Sequence, residues 1–194
     1  MEIIQEKNES VKKIVAVLKK GGVVVCPTDT VYGLLADATN KKAVKKIFKI
    51  KKRPKDRSLL VFIRNIKTAK NFAVIDKKQE IILRRSWPGR KTFILKAKKG
   101  LTDSVYKGAT IGMRIPDHDF LNAVLAEIKR PLAQTSANIS GENTPGSVKE
   151  IIIRFQKEKH KPDLVICAEN LRNKRSKPSV IIDLTCKKRK ILRR

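Results

Sequence analysis

Apolar residues recur along the chain at two different spacings. In ESVKKIVAVLKKGG, residues 9–22, Val11, Ile14, Val15 and Leu18 fall three or four apart among lysines. They share one face of a helix, which Gly21 and Gly22 end. NKKAVKKIFKIKKRP, residues 40–54, repeats the spacing with Ala43, Val44, Ile47 and Phe48 inward, and Pro54 prevents continuation. Short helices are predicted over 66–72 and 78–85, and two more over 119–128 and 147–155. Between them lie short β-branched or apolar runs, each read as a strand: 23–25, 58–63, 92–97, 110–115, 132–134, 164–167 and 179–184.

Helices and strands interleave, which predicts an α/β domain with a mixed sheet. Several strands follow one another through turns such as Trp87-Pro88-Gly89, so antiparallel pairs are expected. No linker of low complexity and no repeat interrupts the pattern, and 1–194 is read as one domain large enough to bury a core.

Composition adds charge to this picture. Apolar residues make up 41% and charged ones 33%, and Lys+Arg 46 against Asp+Glu 18 gives a formal +28. Such a field attracts polyanions, which makes RNA a candidate partner. Lysines spread over a solvated surface, as in thermophiles, give the same numbers. No run approaches the roughly 20 apolar residues that span a bilayer. The N-terminal MEIIQEKNES carries acidic residues and no apolar core, so neither a secretory nor a transit signal is expected. Cys26, Cys167 and Cys186 are isolated, as free thiols of a reducing, cytoplasmic compartment are, and no structural metal is expected.

Four stretches are more polar than the strands around them require. CPTDTVYGLLAD, residues 26–37, delivers Thr28, Asp29 and Thr30 at a strand end, where ligands of open α/β sheets collect and where the same residues also satisfy turns. In KIKKRPKDRS, residues 49–58, Lys51 and Arg53 alternate and can converge on one anion, although a basic helix end more often complements the dipole. AQTSANISGENTPG, residues 133–146, opens a strand into a loop whose amides, with Ser136 and Asn138, can nest a phosphate or simply face water. TIGMRIPDH (110–118) and KPSVIIDL (177–184) each carry one polar residue amid apolar ones, Arg114 and Ser179. A mid-strand arginine either exits to solvent or meets an anion. His118, between Asp117 and Asp119, is read as a cap or a surface residue. There is no phosphate-binding glycine signature, no Ser-His-Asp or Cys-His pattern and no metal cluster. Chemistry built from Thr, Lys, Arg, Ser and Asn works by orientation and charge stabilisation, which suits phosphoryl or nucleotidyl transfer.

Together these segments resemble the YrdC/TsaC-like family of threonylcarbamoyl-AMP synthases, in its short, single-domain branch. The matching motifs are PTDTVYGL (27–34), KIKKRP (49–54), SWPGRKTF (86–93), MRIPDH (113–118), TSANISG (135–141) and PSVIID (178–183), in register along nearly the whole chain. The resemblance implies a twisted, open, mixed α/β sheet with flanking helices around a concave basic cavity. It implies a nucleotidyltransferase of tRNA processing that condenses L-threonine, bicarbonate or carbon dioxide, and ATP to threonylcarbamoyl-AMP and pyrophosphate, with Mg²⁺ on the phosphates. A separate threonylcarbamoyl-transferase complex then consumes the product to modify tRNA, and the basic surface implies contact with tRNA or double-stranded RNA.

By position, the resemblance assigns Lys51 and Arg53 to catalysis on the ATP phosphates and the developing carbamate. It assigns Thr30, Arg114 and Ser179 to threonine, and Ser136 and Asn138 to nucleotide, with the metal near them. Arg57, Thr110, Thr144 and Arg193 are further ATP-side candidates. The chain departs from the pattern at Arg90 and Lys91, where the family has WPGPLT, at Phe62, where a histidine is frequent, and in 169–178, which lacks paired glycines. Ending at Arg194, it is expected to lack the C-terminal domain of the longer branch. Two alternatives stand beside this reading: a non-catalytic RNA-binding protein of the same fold, and a carbamoyl-transfer domain of hydrogenase maturation.

Overall fold

The computed structural model describes residues 1–168, 178–186 and 190–193. In chain order these form β1 (Glu2–Gln5), α1 (Ser10–Lys19), β2 (Val24–Cys26), β3 (Gly33–Asp37), α2 (Lys41–Lys51), β4 (Leu60–Phe62), α3 (Ile66–Phe72), β5 (Ala73–Val74), α4 (Lys77–Arg84) and β6 (Lys91–Ala97). After a single 3-10 turn (Asp103–Val105) come β7 (Tyr106–Lys107), β8 (Thr110–Arg114), α5 (Asp119–Ile128), β9 (Leu132–Ser136), α6 (Val148–Gln156), β10 (Leu164–Cys167), β11 (Val180–Asp183) and β12 (Lys190–Arg193).

Local chemistry sets the helix ends. Asn40 caps α2 by accepting from the amides of Lys42 and Ala43, and Asp76 with Gln79 forms a reciprocal cap on α4. Lys52 adopts a left-handed conformation (φ 52°) and turns the chain out of α2 before Pro54 is reached. The predicted proline stop therefore acts two residues later than the geometry that ends the helix.

The described strands join one mixed sheet in the order β1-β10-β2-β3-β9-β4-β8-β6-β11-β12, with β5 on β6 and β7 on β8. Pairs β1–β10, β10–β2, β4–β8 and β6–β11 are parallel, and β2–β3, β3–β9, β4–β9 and β6–β8 are antiparallel. Antiparallel pairs were expected, but not where they occur: Trp87-Pro88-Gly89 joins α4 to β6 and not one strand to another. Strands β1, β3, β5, β7 and β12 escaped the pattern analysis. All five residues of β3 are buried, so it has no alternation, and β1 and β12 are edge strands with hardly a buried position.

Two apolar layers form on the sheet. On one face Ile14, Val15 and Leu18 of α1 and Phe120, Leu121, Val124, Leu125 and Ile128 of α5 cover Val24, Leu35, Leu132, Leu164 and Ile166. On the other, α2, α3, α4 and α6 cover Val25, Leu34, Val61, Phe93, Leu95, Ile111 and Met113. The two cover sets do not match in extent. On the α1/α5 face the coverage stops near Phe62 and Leu132. Beyond it, strand alternation points Leu60, Thr110, Gly112, Arg114, Thr92, Ile94 and Ser179 to the same side, and the described helices place none of their buried apolar residues over them. In this half of the sheet the described helices pack on one face only, and on the other face Thr92, Gly112, Arg114 and Ser179 are nonetheless buried. No described helix is long and apolar enough to cross a membrane.

Candidate functional site

This half of the sheet carries polar groups at both ends of its strands. At one end β4 and β8 run parallel and finish side by side at Phe62 and Arg114. Arg114 is only 2% exposed. Its Nε donates to the Gly89 carbonyl (2.8 Å), its Nη1 to Thr30 Oγ1 (3.2 Å), and its Nη2 pairs with the Asp29 carboxylate. The guanidinium carbon stands 5.6 Å from the Phe62 ring centroid, so the position at which a histidine was anticipated supplies an aromatic face. Burial lowers the Arg114 pKa, and the Asp29 charge opposes that shift.

The segment between β2 and β3 is both a turn and a wall of this site. Thr28 Oγ1 accepts from the Thr30 amide (3.0 Å), lies 3.0 Å from Thr30 Oγ1 and donates to the Val31 carbonyl (2.8 Å). Asp29 Oδ2 accepts from the Asp117 amide (3.1 Å), which ties the turn to the start of the α5 segment. Tyr32 points inward, and its carbonyl accepts from the Ala137 amide (2.8 Å), which joins this turn to the loop after β9.

Ser179 is buried at the edge of the same end. Its hydroxyl lies 2.9 Å from Thr92 Oγ1, and Arg193 on β12 donates to the Ser179 carbonyl through Nε (3.0 Å) and Nη2 (2.8 Å) and to its hydroxyl (3.2 Å). Burial, then the positive charge of Arg114, lower the Arg193 pKa, so the two guanidinium groups share one electrostatic environment.

The other end is built around Lys51, which is 3% exposed at the end of α2. Its ammonium shares its three N–H groups among four oxygens of one segment: the Ser136 carbonyl (2.8 Å) and hydroxyl (3.2 Å), and the Asn138 carbonyl (3.1 Å) and Oδ1 (2.7 Å). The Ser136 hydroxyl donates to the same Oδ1 (2.7 Å), and Asn138 Nδ2 donates to the carbonyls of Ile139 (3.0 Å) and Glu142 (2.7 Å). The Ser140 amide returns to the Lys51 carbonyl (2.8 Å). Burial, followed by the charge of Arg53, pushes the Lys51 pKa down to about 8. Half-buried Arg53 donates to the carbonyls of Arg57 (2.9 Å) and Ser58 (2.8 Å), and burial with the Arg57 charge lowers its pKa.

Of the residues singled out from the sequence, the structure groups Thr30, Arg114 and Ser179 at one end and Lys51, Ser136 and Asn138 at the other, with Arg53 adjoining; Arg193, expected on the ATP side, instead sits with the first group because it bonds Ser179. Thr110 shares the face of Arg114 but sits at the opposite end of β8, roughly 13 Å away by strand rise, bonded to the Lys107 carbonyl. Thr144 is half-buried in the loop before α6, and the Arg57 side chain is exposed beyond Arg53. His118 caps α5 through a long 3.5 Å contact with the Leu121 amide, the capping role anticipated for it. The segment 169–177 lies outside the described residues.

Two residues were missed. Asp29 was read as shaping the strand end but is the partner of Arg114, and Thr92 was read only as a strand residue but meets Ser179. Midway along this face is buried Gly112, where a Cβ would stand 2.6 Å from Leu60 Cδ2 and 3.1 Å from Ile94 Cδ1, so these two side chains close over it and leave no room for a larger residue. Among the described residues no group of three or more His, Cys, Asp or Glu is placed to hold a metal ion.

Comparison with known proteins adds independent observations. The Sua5/YciO/YrdC family model, described as "Telomere recombination", matches residues 16–194. A Methanocaldococcus jannaschii protein provisionally named threonylcarbamoyl-AMP synthase is 38% identical over 188 residues, covering 95% of this chain and 86% of the relative. The crystal structure of Pyrococcus abyssi Sua5 complexed with L-threonine superposes with a TM-score of 0.88 at 29% identity and covers 99% of this chain. This chain spans only 56% of that Sua5 chain. Escherichia coli YciO superposes with a TM-score of 0.86 at 28% identity, covering 99% of this chain and 93% of YciO.

Proposed function

The chain belongs to the Sua5/YciO/YrdC family, and from that membership we propose that it is a threonylcarbamoyl-AMP synthase. One observation carries the reading: the same half of the sheet ends in a caged cation at Lys51 and in a buried arginine beside a threonine hydroxyl at Arg114 and Thr30. ATP lies with its phosphates toward Lys51 and Arg53, near Ser136 and Asn138, and the threonine carboxylate meets Arg114, with Ser179 and Arg193 beside it. Arg57, Thr110 and Thr144 border the nucleotide side.

In this arrangement the threonine amine adds to carbon dioxide, or to bicarbonate with loss of water, and forms a carbamate. A carbamate oxygen then attacks the α-phosphorus, and pyrophosphate leaves. Lys51 and Arg53 stabilise the negative charge that develops in both steps, and a water-poor pocket protects the short-lived carbamate. No residue forms a covalent bond to substrate. Mg²⁺ fits here only as an ion carried by the phosphates, whose charge it neutralises. Asn138 Oδ1 is already engaged by Lys51 and Ser136, and no described carboxylate cluster offers a cage.

Incubating the protein with ATP, Mg²⁺ and bicarbonate is expected to release pyrophosphate only when L-threonine is added. Absent or threonine-independent release overturns the synthase reading. A non-catalytic RNA-binding protein is the less favoured alternative, because it gives no use to the Lys51 cage or to the buried Arg114–Asp29 pair.

The same proposal hands the adenylate to a threonylcarbamoyl-transferase complex and lets the +28 surface meet tRNA. Binding of tRNA is expected to weaken steeply between 50 and 200 mM salt, by about a factor of ten for every two phosphates contacted. A salt-independent affinity, or no binding, removes RNA from the scheme.

A further inference from the structure

The Lys51 cage is held from behind by a residue that no part of the proposed chemistry uses. Arg154, in the last turn of α6, grips Glu142 in a two-point contact, Nε to Oε2 (2.8 Å) and Nη2 to Oε1 (2.6 Å). Its remaining terminal nitrogen, Nη1, donates to Glu158 Oε1 (2.5 Å). Glu158 also pairs with Lys52 (2.9 Å), the residue after Lys51. Glu142 in turn gives its carbonyl to Asn138 Nδ2 (2.7 Å), and the Oδ1 of that asparagine accepts from Lys51 (2.7 Å). One guanidinium therefore fastens both halves of the cage: the loop that supplies the oxygens and the end of α2 that supplies the ammonium.

A solvated ion pair is ordinarily worth little to stability. Three details separate this one from a casual contact. The Arg154–Glu142 geometry is a planar fork that lysine cannot reproduce. The two carboxylates share one cation, so a single side chain joins the loop to the carboxylate that pairs with Lys52. Glu142 follows Gly141, whose φ of 89° places it in a left-handed turn, so the direction in which the loop leaves Asn138 is set just where the arginine grips. The hydrogen bonds to Arg154 hold the Glu142 carboxyl below its usual pKa.

We propose that Arg154 is a positioning residue for nucleotide binding: through Glu142 and Glu158 it holds the 136–142 loop against Lys51 in the geometry that receives the phosphates. This rests on the reading of that loop as the phosphate site. The threonine end, reached through Arg114 and Thr30, shares no contact with Arg154.

The test compares wild type, Arg154→Met, Arg154→Lys and Glu142→Gln by calorimetric titration with ATP alone and by steady-state kinetics. Arg154→Met is expected to weaken ATP binding roughly fivefold to tenfold, the range for changes in a supporting network. The KM for threonine should stay within twofold of wild type and the melting temperature should be unchanged. Glu142→Gln should reproduce the loss, the two changes combined should not exceed the larger, and Arg154→Lys should recover only part of it. Wild-type ATP affinity in Arg154→Met overturns the inference. So does a parallel loss of threonine and ATP affinity with a lowered melting temperature, or a wild type that binds no ATP. A wild type that binds ATP yet releases no threonine-dependent pyrophosphate sinks the synthase reading alone, and the Arg154 inference is then judged on ATP affinity.

Discussion

Replacing Lys51 by Met is expected to reduce kcat/KM for ATP by about 10²–10³-fold, the scale for removing one preorganised charge donor from a developing anion. The ammonium is 3% exposed and holds four oxygens of the Ser136–Asn138 segment. Its removal also costs about 1–3 kcal/mol, because those oxygens lose their shared donor. Lys51→Arg keeps a charge and separates the two effects. The pH dependence gives a second measurement. With the Lys51 pKa pushed down to about 8, the charged form of the free enzyme is lost as pH rises through that value, and wild-type kcat/KM falls with it. In Lys51→Arg the fall at pH 8 should be absent. Coincident profiles, or Lys51→Met within threefold of wild type, would remove Lys51 from the phosphate site. Stability moves the other way. Between about 8 and the ordinary 10.5 the unfolded chain binds the extra proton. Burying this lysine therefore costs roughly 3 kcal/mol below pH 8, and the cost is relieved as pH climbs to 10.5.

Changing Arg114 to Gln is expected to raise the KM for threonine about 100-fold and to destabilise the fold by about 3–5 kcal/mol. The second effect arises because Asp29, whose side chain is 8% exposed, is left as a buried charge without its partner. Combining Arg114→Gln with Asp29→Asn should restore much of the melting temperature while threonine affinity stays low. Equal recovery of both in the double variant would make Arg114 a structural residue only. Asp29→Asn alone should keep measurable threonine binding, since Arg114 retains the Gly89 carbonyl and the Thr30 hydroxyl.

The helices were legible because their apolar positions repeat at the helical period in a lysine-rich background. The predicted 66–72 and 119–128 coincide with α3 and α5, and 164–167 with β10. Strand β3 was not legible, since GLLAD is buried on both faces and lies next to the polar PTDT run. Strand β12 was hidden by the opposite property, an exposed edge written as KILR. The same contrast holds in the site. Lys51, Ser136 and Asn138 stood out because each lies in a locally unusual segment. Asp29 and Thr92 have ordinary surroundings, and their meaning resides in Arg114 and Ser179, distant in sequence and brought close by strand order β3-β9-β4-β8-β6-β11. Arg154 reads as a solvated helix residue until the loop it grips is placed.

Beyond Phe62 and Leu132, one layer of an α/β/α arrangement has no described helix to fill it. On the proposed function the substrates are that layer. ATP and threonine then act as removable parts of the fold, adding free energy to the native state in proportion to the logarithm of their concentration over Kd, about 2.7 kcal/mol at a hundredfold excess.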